Sequence, residues 1–305
     1  MRPEKGLSSF DIFAAFPNQQ TAIRFLEHTR WPDGIMCAHC DSDNTTPIPS
    51  RNRHQCNACR KQFSVRTNSV FENTRIPLHK WLHAIYLLQT ARKGISSIQL
   101  GKQVGISQQA AWFMLHRLRE ALDVQALKLS GVVEIDETYL GGLEKNKHRK
   151  KRKRLGRGVA GKQTVIGMRQ REGPTIAFPI KKNLPEHLQK AVIENVEEGS
   201  FIYTDNLLAY KNLQDLYNHE SVNHMRGEYA RDEVTTNGIE SVWAVLKRGY
   251  KGVYHHWHPK NTHRYLHEFL FRLNNTNPHK VTLDDLRAVV RNAIGKRLTY
   301  KELIQ

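Results

Sequence analysis

Acidic side chains are scarce in this sequence of 305 residues. Asp and Glu number 29 against 47 Lys and Arg, which gives a formal net charge of +18 and an isoelectric point near 9.9. A chain with this excess repels itself unless a polyanion neutralises it, and nucleic acid is the commonest polyanion that proteins bind. The composition therefore favours a nucleic-acid partner. The ordinary alternative is a basic protein that its charge merely keeps soluble.

Long hydrophobic runs are also missing. No stretch of the sequence approaches the roughly 18–20 apolar residues that a membrane-spanning helix needs. The basic residues between Met1 and Phe10 are not followed by an apolar segment, so we expect neither a signal peptide nor a membrane partner. We expect a cytoplasmic protein, in a compartment that keeps thiols reduced.

Cysteine is rare and regularly spaced. The four cysteines form two Cys-x2-Cys pairs with fifteen residues between them. Each pair can turn two thiolates towards one point, and two pairs complete a tetrahedral site for one structural Zn²⁺ with no open coordination position. Redox pairs or inert thiols are the alternatives. The predicted zinc ligands are Cys37, Cys40, Cys56 and Cys59.

Several basic residues surround the cysteines. They predict that the zinc ribbon contacts DNA or protein, although the ribbon could instead only cap the neighbouring helices. These residues are Arg51, Arg53, Arg60, Lys61 and Arg66.

The segment from Ile95 to Leu118 has the spacing of a helix-turn-helix. Ser96 or Ser97 can cap a first helix, Gly105 supplies a tight turn, and Ser107 can cap a second helix. A DNA-reading second helix and an ordinary helical hairpin both fit this pattern. The residues expected to face outward are Gln108, Gln109, Trp112, His116 and Arg117.

The composition changes near Gly131, where short β-rich runs begin to alternate with helical ones. This alternation predicts a mixed α/β domain followed by a mainly helical stretch from 236 to 305. The predicted strands are 132–136, 163–168, 175–180 and 201–205, and the predicted helices are 184–196 and 207–217.

A basic run separates the first two predicted strands. Residues 145–162 contain ten Lys or Arg and no acid, so the run cannot pack as a core element and we expect a loop. A solvated loop is the ordinary interpretation, but the position inside a domain favours contact with phosphate. The predicted DNA contacts here are Arg149, Lys150, Lys151, Arg152, Lys153 and Arg154.

Three acidic residues stand where a metal site could form. Asp136 lies in the first predicted strand, on one face with Glu134 and Thr138, Asp205 ends the fourth strand, and Glu240 lies on a predicted helix. Three converging carboxylates would suit Mg²⁺ or Mn²⁺, and two such ions can activate a water or a 3′-hydroxyl. Taken singly, each acid has an ordinary explanation as a helix cap or a surface residue, and the same holds for Glu134 and Glu137.

The helix that carries Glu240 has a basic residue on the same face. Lys247 follows Glu240 by two helical turns and could hold a scissile phosphate, with Arg248 beside it on DNA. Asn237 and Trp243 share that side of the helix. We expect Thr235, Thr236 or Asn237 to cap the helix. Further on, Arg264, Glu268 and Arg272 lie at i, i+4 and i+8, for which a functional role and a surface ion-pair ladder are equally open.

The motifs in combination resemble the insertion-sequence transposases of bacteria. The resemblance covers about residues 15–280 and is carried by EIDETYLGG, YTDNLLAY, TNGIESVWAVLKRGYKGVYHHW and RYLHEFLFRLN. It implies a multidomain chain of α+β and α/β type: a small zinc ribbon, a helix-turn-helix-like helical segment and an RNase H-like mixed-sheet domain with C-terminal helices. That domain carries a DDE site, which binds two Mg²⁺ or Mn²⁺.

By this resemblance Asp136 and Asp205 are the first two metal ligands and Glu240 the third, with Asn237 as the alternative third ligand. The implied reaction nicks transposon ends and joins the freed 3′-hydroxyl to target DNA. The partners are therefore terminal inverted repeats, target DNA and at least one further copy of the chain, at the bacterial nucleoid. The implied segments are a helical lead-in at 1–30, the zinc ribbon at 31–70, the helix-turn-helix-like region at 71–128, the catalytic domain at 129–280 and a helical tail at 281–305.

Two other functions remain open at this point. A DNA-binding regulator would use the zinc ribbon and the helix-turn-helix without catalysis, and it would tolerate Asp136→Ala. An RNase H-like nuclease would cut DNA without joining it, and only its products would distinguish it from a transposase.

Overall fold

The structure is a computed structural model, and it folds as two compact units. It describes residues 6–123, 128–142, 148–152, 161–181, 184–205, 208–222, 230–275, 277 and 280–305. The first unit combines Met1–Val124 with Asn275–Gln305, and the second is Gln125–Asn274. No helix within these ranges is long and apolar enough to cross a membrane.

The regular elements are numbered in chain order. The helices are α1 Ser9–Ala15, α2 Gln19–Arg30, α3 Leu78–Thr90, α4 Ser97–Val104, α5 Gln108–Ala121, α6 Pro185–Asn195, α7 Asn237–Gly249, α8 Thr262–Asn275, α9 Leu283–Asn292 and α10 Tyr300–Ile304. The strands are β1 Thr45–Ile48, β2 Arg53–Cys56, β3 Gln62–Phe63, β4 Val132–Leu140, β5 Gln163–Gln170, β6 Thr175–Ile180, β7 Phe201–Asp205, β8 Asn218–Val222, β9 Ala230–Arg231 and β10 Val234–Thr235.

Polar caps begin the helices of the first unit. Ser96 accepts a hydrogen bond from the backbone N–H of Gln99 at the start of α4, and Ser107 does the same at the start of α5. Gly105 ends α4 with φ +64°, a left-handed conformation that glycine adopts without strain. The predicted helix-turn-helix spacing, with its two serine caps and glycine turn, is confirmed.

The C-terminal residues complete the first unit. The backbone N–H of Leu7 donates to the carbonyl of Val281, and that of Val70 donates to the carbonyl of Ala293. Helix α9 contacts α2, α3 and α5. The end of the chain therefore packs with residues from its beginning.

The second unit is built on a five-stranded mixed sheet in the order β6-β5-β4-β7-β8. Strands β4, β5 and β6 are antiparallel neighbours, whereas β7 is parallel to β4 and β8 is parallel to β7. Three antiparallel strands followed by two strands parallel to the first are the arrangement of the RNase H-like fold. The fold expected from the resemblance is confirmed.

Helices cover both faces of this sheet. One core joins Val133 and Ile135 of β4 to Leu188 and Val192 of α6. The other joins Leu140 of the same strand to α7 and α8 residues. Because side chains alternate along a strand, β4 points Glu134, Asp136 and Thr138 towards α7, on the face that the sequence predicted for them.

The sequence was wrong about two elements next to β7. Residues 207–217 were predicted to form a helix, but the structure has a 3-10 segment at Leu208–Leu213 followed by turns. Strand β8 was not predicted, because its sequence NHESV is polar. It is an edge strand, so only one of its sides is paired, and apolar composition is not required there.

Candidate functional site

Asp136 and Asp205 lie at the same level of two adjacent parallel strands. Ile135 of β4 pairs with Thr204 of β7, and each aspartate is the next residue along its strand. Asp205 is also the last residue of β7, so both carboxylates lie where the parallel pairing of β4 with β7 ends. Ligand sites of α/β sheets gather at the carboxyl ends of such strands.

The pKa of Asp136 reports a crowded group of carboxylates. Burial, followed by the negative charge of Asp205, raises the pKa of Asp136 to about 6, and the charge of Glu240 adds to the rise. The predicted three carboxylates are therefore close enough to repel one another. A divalent cation bound among them would relieve this repulsion, so the donor set fits Mg²⁺ or Mn²⁺.

Helix α7 carries the remaining predicted residues. Glu240 is partly buried in the first turn and accepts a hydrogen bond from the Thr236 hydroxyl at 3.0 Å. Asn237, the alternative third ligand, is exposed at the first position of the helix, and Lys247 and Arg248 are exposed in its last turn.

Glu134 anchors the beginning of α7. Its Oε2 accepts the backbone N–H of Ile239 at 2.9 Å, the donor that a capping side chain of the helix itself would normally satisfy. Thr236, one of the three predicted caps, occupies the cap position without a side-chain cap bond, and the hydroxyl of Thr235 accepts the backbone N–H of Asn237 at 3.1 Å. The approach is tight, since a Cβ at Gly238 would lie 2.4 Å from Glu134 Oε2.

Glu134 is one of the residues that could have been a simple surface acid, and that interpretation is wrong. Only 3% of Glu134 is exposed, and its Oε1 accepts a hydrogen bond from Arg171 Nε at 3.0 Å. Arg171 also donates to the carbonyl of Glu233 at 2.7 Å and lies over the ring of Tyr203. This ion pair, buried on the Glu134 side and partly exposed on the Arg171 side, thus links β4 to the residue that follows β5 and to the chain that leads into α7.

A second arginine, Arg169 within β5, holds the same helix end. Arg169 Nη1 donates to the carbonyl of Gly238 at 2.7 Å and to the Ser241 hydroxyl at 3.2 Å. Arg169 of β5, Arg171 just after β5 and Glu134 of β4 therefore fix the first turn of α7, in which Glu240 lies.

Gly167 lets α7 approach the sheet beside Asp136. It pairs with Asp136 across β4 and β5, and a Cβ on it would lie 2.3 Å from two ring carbons of Trp243. The indole of Trp243, on the same face of α7 as Glu240, lies close enough to Asp136 to favour its charged form. The sequence placed Trp243 on this side of the helix but gave no sign of the glycine beneath it.

Glu137 is a further carboxyl near the site. Burial raises the pKa of Glu137 to about 7, and the charges of Asp136 and Asp205 act in the same direction. The hydroxyl of Tyr210, which is fully buried, donates to Glu137 Oε1. Glu137 lies on the α6 side of β4, and the interpretation of it as a simple surface residue is wrong.

The four cysteines form the predicted metal site. Sγ of Cys37 lies 3.7 Å from Sγ of Cys59, and Sγ of Cys40 lies 3.6 Å from Sγ of Cys56. All four sulfurs lie within 4.8 Å of one another. Tetrahedral zinc with Zn–S bonds of about 2.3 Å would place the sulfurs roughly 3.8 Å apart, so the arrangement fits Zn²⁺.

The protein backbone supports the charged form of one of these thiols, that of Cys56. The backbone N–H of Cys59, 3.4 Å from Sγ of Cys56, lowers the pKa of the Cys56 thiol to about 6. Among the described residues, no other group of three or more His, Cys, Asp or Glu is this compact. The carboxylates around Asp136 are spaced more widely than the sulfurs.

Helix α5 exposes only part of its predicted DNA surface. Gln108 and Gln109 are exposed and Trp112 is partly exposed, but His116 is fully buried and Arg117 is 4% exposed, so the prediction that these two face outward is wrong.

Arg117 is turned into the first unit. It donates to the carbonyl of Glu72, and its guanidinium lies over the rings of Trp81 and Phe113. Burial lowers the pKa of Arg117 to about 10. These contacts give Arg117 a packing role in place of the predicted DNA contact.

The basic run between β4 and β5 is described in part. Arg149–Lys151 form a short 3-10 turn, and Arg149, Lys150 and Arg152 are exposed. The predicted contacts Lys153 and Arg154 lie outside the described residues.

The surface ion-pair ladder, one of the two interpretations of α8, is wrong for Glu268 and Arg272, because both are buried. Glu268 is fully buried, Arg272 is 8% exposed, and the two form an ion pair. The hydroxyl of Tyr254 donates a hydrogen bond to Glu268 Oε1. Arg264 donates instead to Asn261 Oδ1. These contacts fix α8 against the segment that follows α7.

Two family models match the chain. Residues 128–274 match the ISXO2-like transposase domain, and residues 17–62 match the transposase zinc-ribbon domain. The two matches together span more than half of the chain. One curated relative, an uncharacterized protein in transposable element ISH50 of Halobacterium salinarum, is 28% identical over 247 residues, which cover 76% of this chain and 83% of the relative.

Solved structures resemble the chain only distantly. A simian T-cell lymphotropic virus intasome in complex with PP2A regulatory subunit B56 gamma has 15% identity and a TM-score of 0.31, over 64% of this chain and 67% of that one. A Mos1 transposase paired-end complex has 14% identity and a TM-score of 0.22, over 70% and 78%. Overlaps this low establish nothing beyond what the sheet order already shows.

Proposed function

Because the chain belongs to the insertion-sequence transposases that carry an ISXO2-like transposase domain and a transposase zinc-ribbon domain, we propose that it cuts DNA at transposon ends and joins the freed 3′-hydroxyls to target DNA. The observation that carries this proposal is the mutual repulsion of Asp136, Asp205 and Glu240 at one edge of the sheet. Such a group of carboxylates is costly to a fold unless it binds cations.

Asp136, Asp205 and Glu240 are the residues that would hold two Mg²⁺ or Mn²⁺ ions. When bound, such ions supply activation of the attacking hydroxyl and stabilisation of the departing oxygen in phosphodiester chemistry. Glu240 is favoured over Asn237 as third ligand because its charge acts on Asp136 and because carboxylates suit hard cations better than amides.

Basic residues around this edge would position the DNA. Lys247, two turns after Glu240 and exposed, would hold the scissile phosphate by charge, and Arg248 would contact the neighbouring backbone. The exposed part of the basic run and the exposed Gln108 and Gln109 of α5 would add contacts elsewhere on the duplex. The division of the chain into five segments, with the catalytic domain at 129–280, belongs to the same proposal.

Two transposon ends must be processed together, so the working form would be a dimer or a larger assembly on DNA. The site of action would be the nucleoid. The zinc of the four cysteines would have no part in the chemistry, because four thiolates leave no position for substrate.

The test is excision and re-insertion of a marker placed between the inverted repeats of the element. Wild type is expected to move the marker, and Asp136→Ala and Asp205→Ala are expected to abolish movement, since each removes a metal ligand. Glu240→Gln and Asn237→Ala, compared side by side, decide the third ligand. Unimpaired movement by Asp136→Ala would sink the catalytic proposal and leave the DNA-binding regulator.

Purified protein separates cutting from joining. A labelled duplex that carries one transposon end is incubated with Mg²⁺ and a circular target, and the products are sized on a denaturing gel. A transposase gives both the nicked end and a product covalently joined to the target. Nicked ends without joined product at any protein concentration would favour the nuclease.

A further inference from the structure

The first unit contains a polar cavity beside the zinc ribbon. Its volume is about 700 Å³, and its walls are the tip of the β1–β2 hairpin, strand β3, the segment 64–67, the segment 72–75 and the first turns of α2 and α3. Asn52, with φ +48°, turns the hairpin tip between Arg51 and Arg53. The cavity is separate from the cysteines and from the carboxylates at the sheet edge.

Four arginines line this cavity against a single acid. Within the described part of the chain, none of the four forms an ion pair. The acid, Glu72, is already engaged: its Oε2 accepts the backbone N–H of Asn68 and its Oε1 lies 3.8 Å from Arg297. The four arginines are Arg51, Arg53, Arg66 and Arg75.

The cavity holds two of these positive charges close together. Arg66 is partly buried and donates to the carbonyl of Thr74 at 3.3 Å, which fixes its guanidinium in the wall. Burial, and after it the charge of Arg53, lowers the pKa of Arg66. Like charges held together without a counter-ion are costly, and an anion bound between Arg53 and Arg66 would remove that cost.

The residues at the floor of the cavity indicate which kind of anion it binds. Its apolar residues, among them Phe63 and Leu78, are at most 5% exposed, and Phe63, the only aromatic residue of the lining, is 1% exposed. Single-stranded nucleic acid is held mainly by bases stacked on exposed aromatic rings, and this cavity offers none. Arginines on polar walls instead match the phosphates of a duplex, whose bases stay paired inside.

We propose that this arginine cavity binds backbone phosphates of duplex DNA, with Arg53 and Arg66 as its central contacts. The inference rests on the proposed function, since it assigns part of the DNA binding to a definite surface. Because phosphates carry no sequence information, the cavity would contribute affinity and register, and sequence would be read elsewhere.

The test measures the salt dependence of DNA binding by the full, zinc-loaded chain. A fluorescein-labelled 30-base-pair duplex of arbitrary sequence is titrated by anisotropy between 50 and 300 mM NaCl. Arg53→Gln/Arg66→Gln is compared with Arg24→Gln/Arg291→Gln, which removes two exposed charges of the same unit outside the cavity. The cavity variant is expected to bind about tenfold or more weakly at 100 mM salt, and the slope of log K against log salt should fall by about 2.

The outcomes separate this inference from the proposed function. Equal affinity and equal slope for the two double variants overturns the cavity while wild-type DNA binding stands. A wild-type chain that binds no duplex overturns both. A larger loss for a single-stranded 30-mer than for the duplex also overturns the cavity as stated.

A folding defect is controlled by a second variant. Arg53→Gln alone changes an exposed residue whose side chain makes no hydrogen bond or ion pair with the described residues. It keeps the Arg66–Thr74 bond and should lower the slope by about 1. One equivalent of zinc in both variants shows that the ribbon is intact.

Discussion

The two candidate metal centres are built in opposite ways. The zinc ligands come from 23 consecutive positions, Cys37 to Cys59, and the backbone N–H groups of the same loops support their thiolates. The carboxylates come from Asp136, Asp205 and Glu240, which 104 positions of sequence separate and which only the sheet and α7 bring together.

The difference concerns what each centre does to its fold. Four thiolates around zinc close a loop and stabilise a segment too small to have a core of its own. Three carboxylates near Asp136 repel one another and must be held in place by other contacts, chiefly Glu134, Arg171 and Arg169. The zinc site stabilises its fold, whereas the carboxylate site destabilises its fold and depends on the contacts around it.

Removal of zinc should give the largest effect. Binding to structural sites of this kind is worth on the order of 10 kcal/mol of folding, so a chelator should unfold residues 37–63 and expose their amides to hydrogen exchange. Amides of β4 and β5 should keep their protection. Asp205→Ala serves as the control and should retain one equivalent of zinc. Undiminished protection of the ribbon after zinc loss would show that the ribbon has an independent core.

The zinc ribbon and the main strands could be predicted from the sequence, because their signals are local. The Cys-x2-Cys spacing and the β-branched runs around Asp136 and Asp205 need no knowledge of distant residues. The serine caps at Ser96 and Ser107 are local in the same sense.

The supports of the carboxylates could not be predicted, because their partners are distant in sequence. Glu134 meets Arg171 across 37 positions and Ile239 across 105, and a single sequence shows neither contact. The burial of Arg117 depends in the same way on Trp81 and Glu72, which belong to other elements. Gly167 gives no signal at all until the ring of Trp243 is seen against it.

Loss of Glu134 should be the next largest effect. Glu134→Ala leaves the buried Ile239 N–H without its acceptor and Arg171 without its charge partner, and an unsatisfied buried donor costs up to about 3 kcal/mol. The more specific expectation concerns α7: DNA cleavage should fall, and the Mg²⁺ concentration for half-maximal cleavage should rise, while DNA affinity stays constant.

The matched control for Glu134 is Glu220→Gln, which removes an ion pair with Arg231 that is half exposed on both sides. Such surface pairs are worth about 0–1 kcal/mol, so neither stability nor the Mg²⁺ requirement should change. Equal effects of the two substitutions would show that Glu134 does not position α7.

Gly167→Ala tests the contact between sheet and helix directly. A methyl group there overlaps the ring of Trp243, and overpacking of this kind costs roughly 1–3 kcal/mol. Since the ring sits beside Asp136, cleavage should fall by more than the loss of stability alone explains, which a comparison of urea unfolding with cleavage rate would detect. Gly252→Ala, where a Cβ meets nothing within 4 Å, should change neither. Full activity of Gly167→Ala would mean that α7 can shift without consequence.

Removal of the negative charge of Asp136 should give the smallest effect, a gain in stability. The pKa of Asp136 is raised from 3.8 to about 6 in the folded chain, so the fold holds the proton more tightly than the unfolded chain does. As the pH rises from 3.8 to 6, Asp136 loses this proton and the free energy of unfolding falls progressively. Above pH 6 it falls no further on account of Asp136. In buffer without divalent cations, Asp136→Asn should therefore raise the free energy of unfolding by roughly 1–3 kcal/mol at pH 8 and by less at pH 5.

Urea unfolding of the zinc-loaded protein at the two pH values measures this gain in the free energy of unfolding. After addition of Mg²⁺, wild type should be more stable than Asp136→Asn. Wild type should become more stable with Mg²⁺, whereas the variant should respond weakly, because a neutral amide is a poorer ligand. Asp205→Asn should behave in the same way, since it removes the charge that acts most strongly on Asp136. A loss of stability in Asp136→Asn at pH 8 would mean that hydrogen-bond donors already satisfy this carboxylate, and the two centres would then not differ as their geometry indicates.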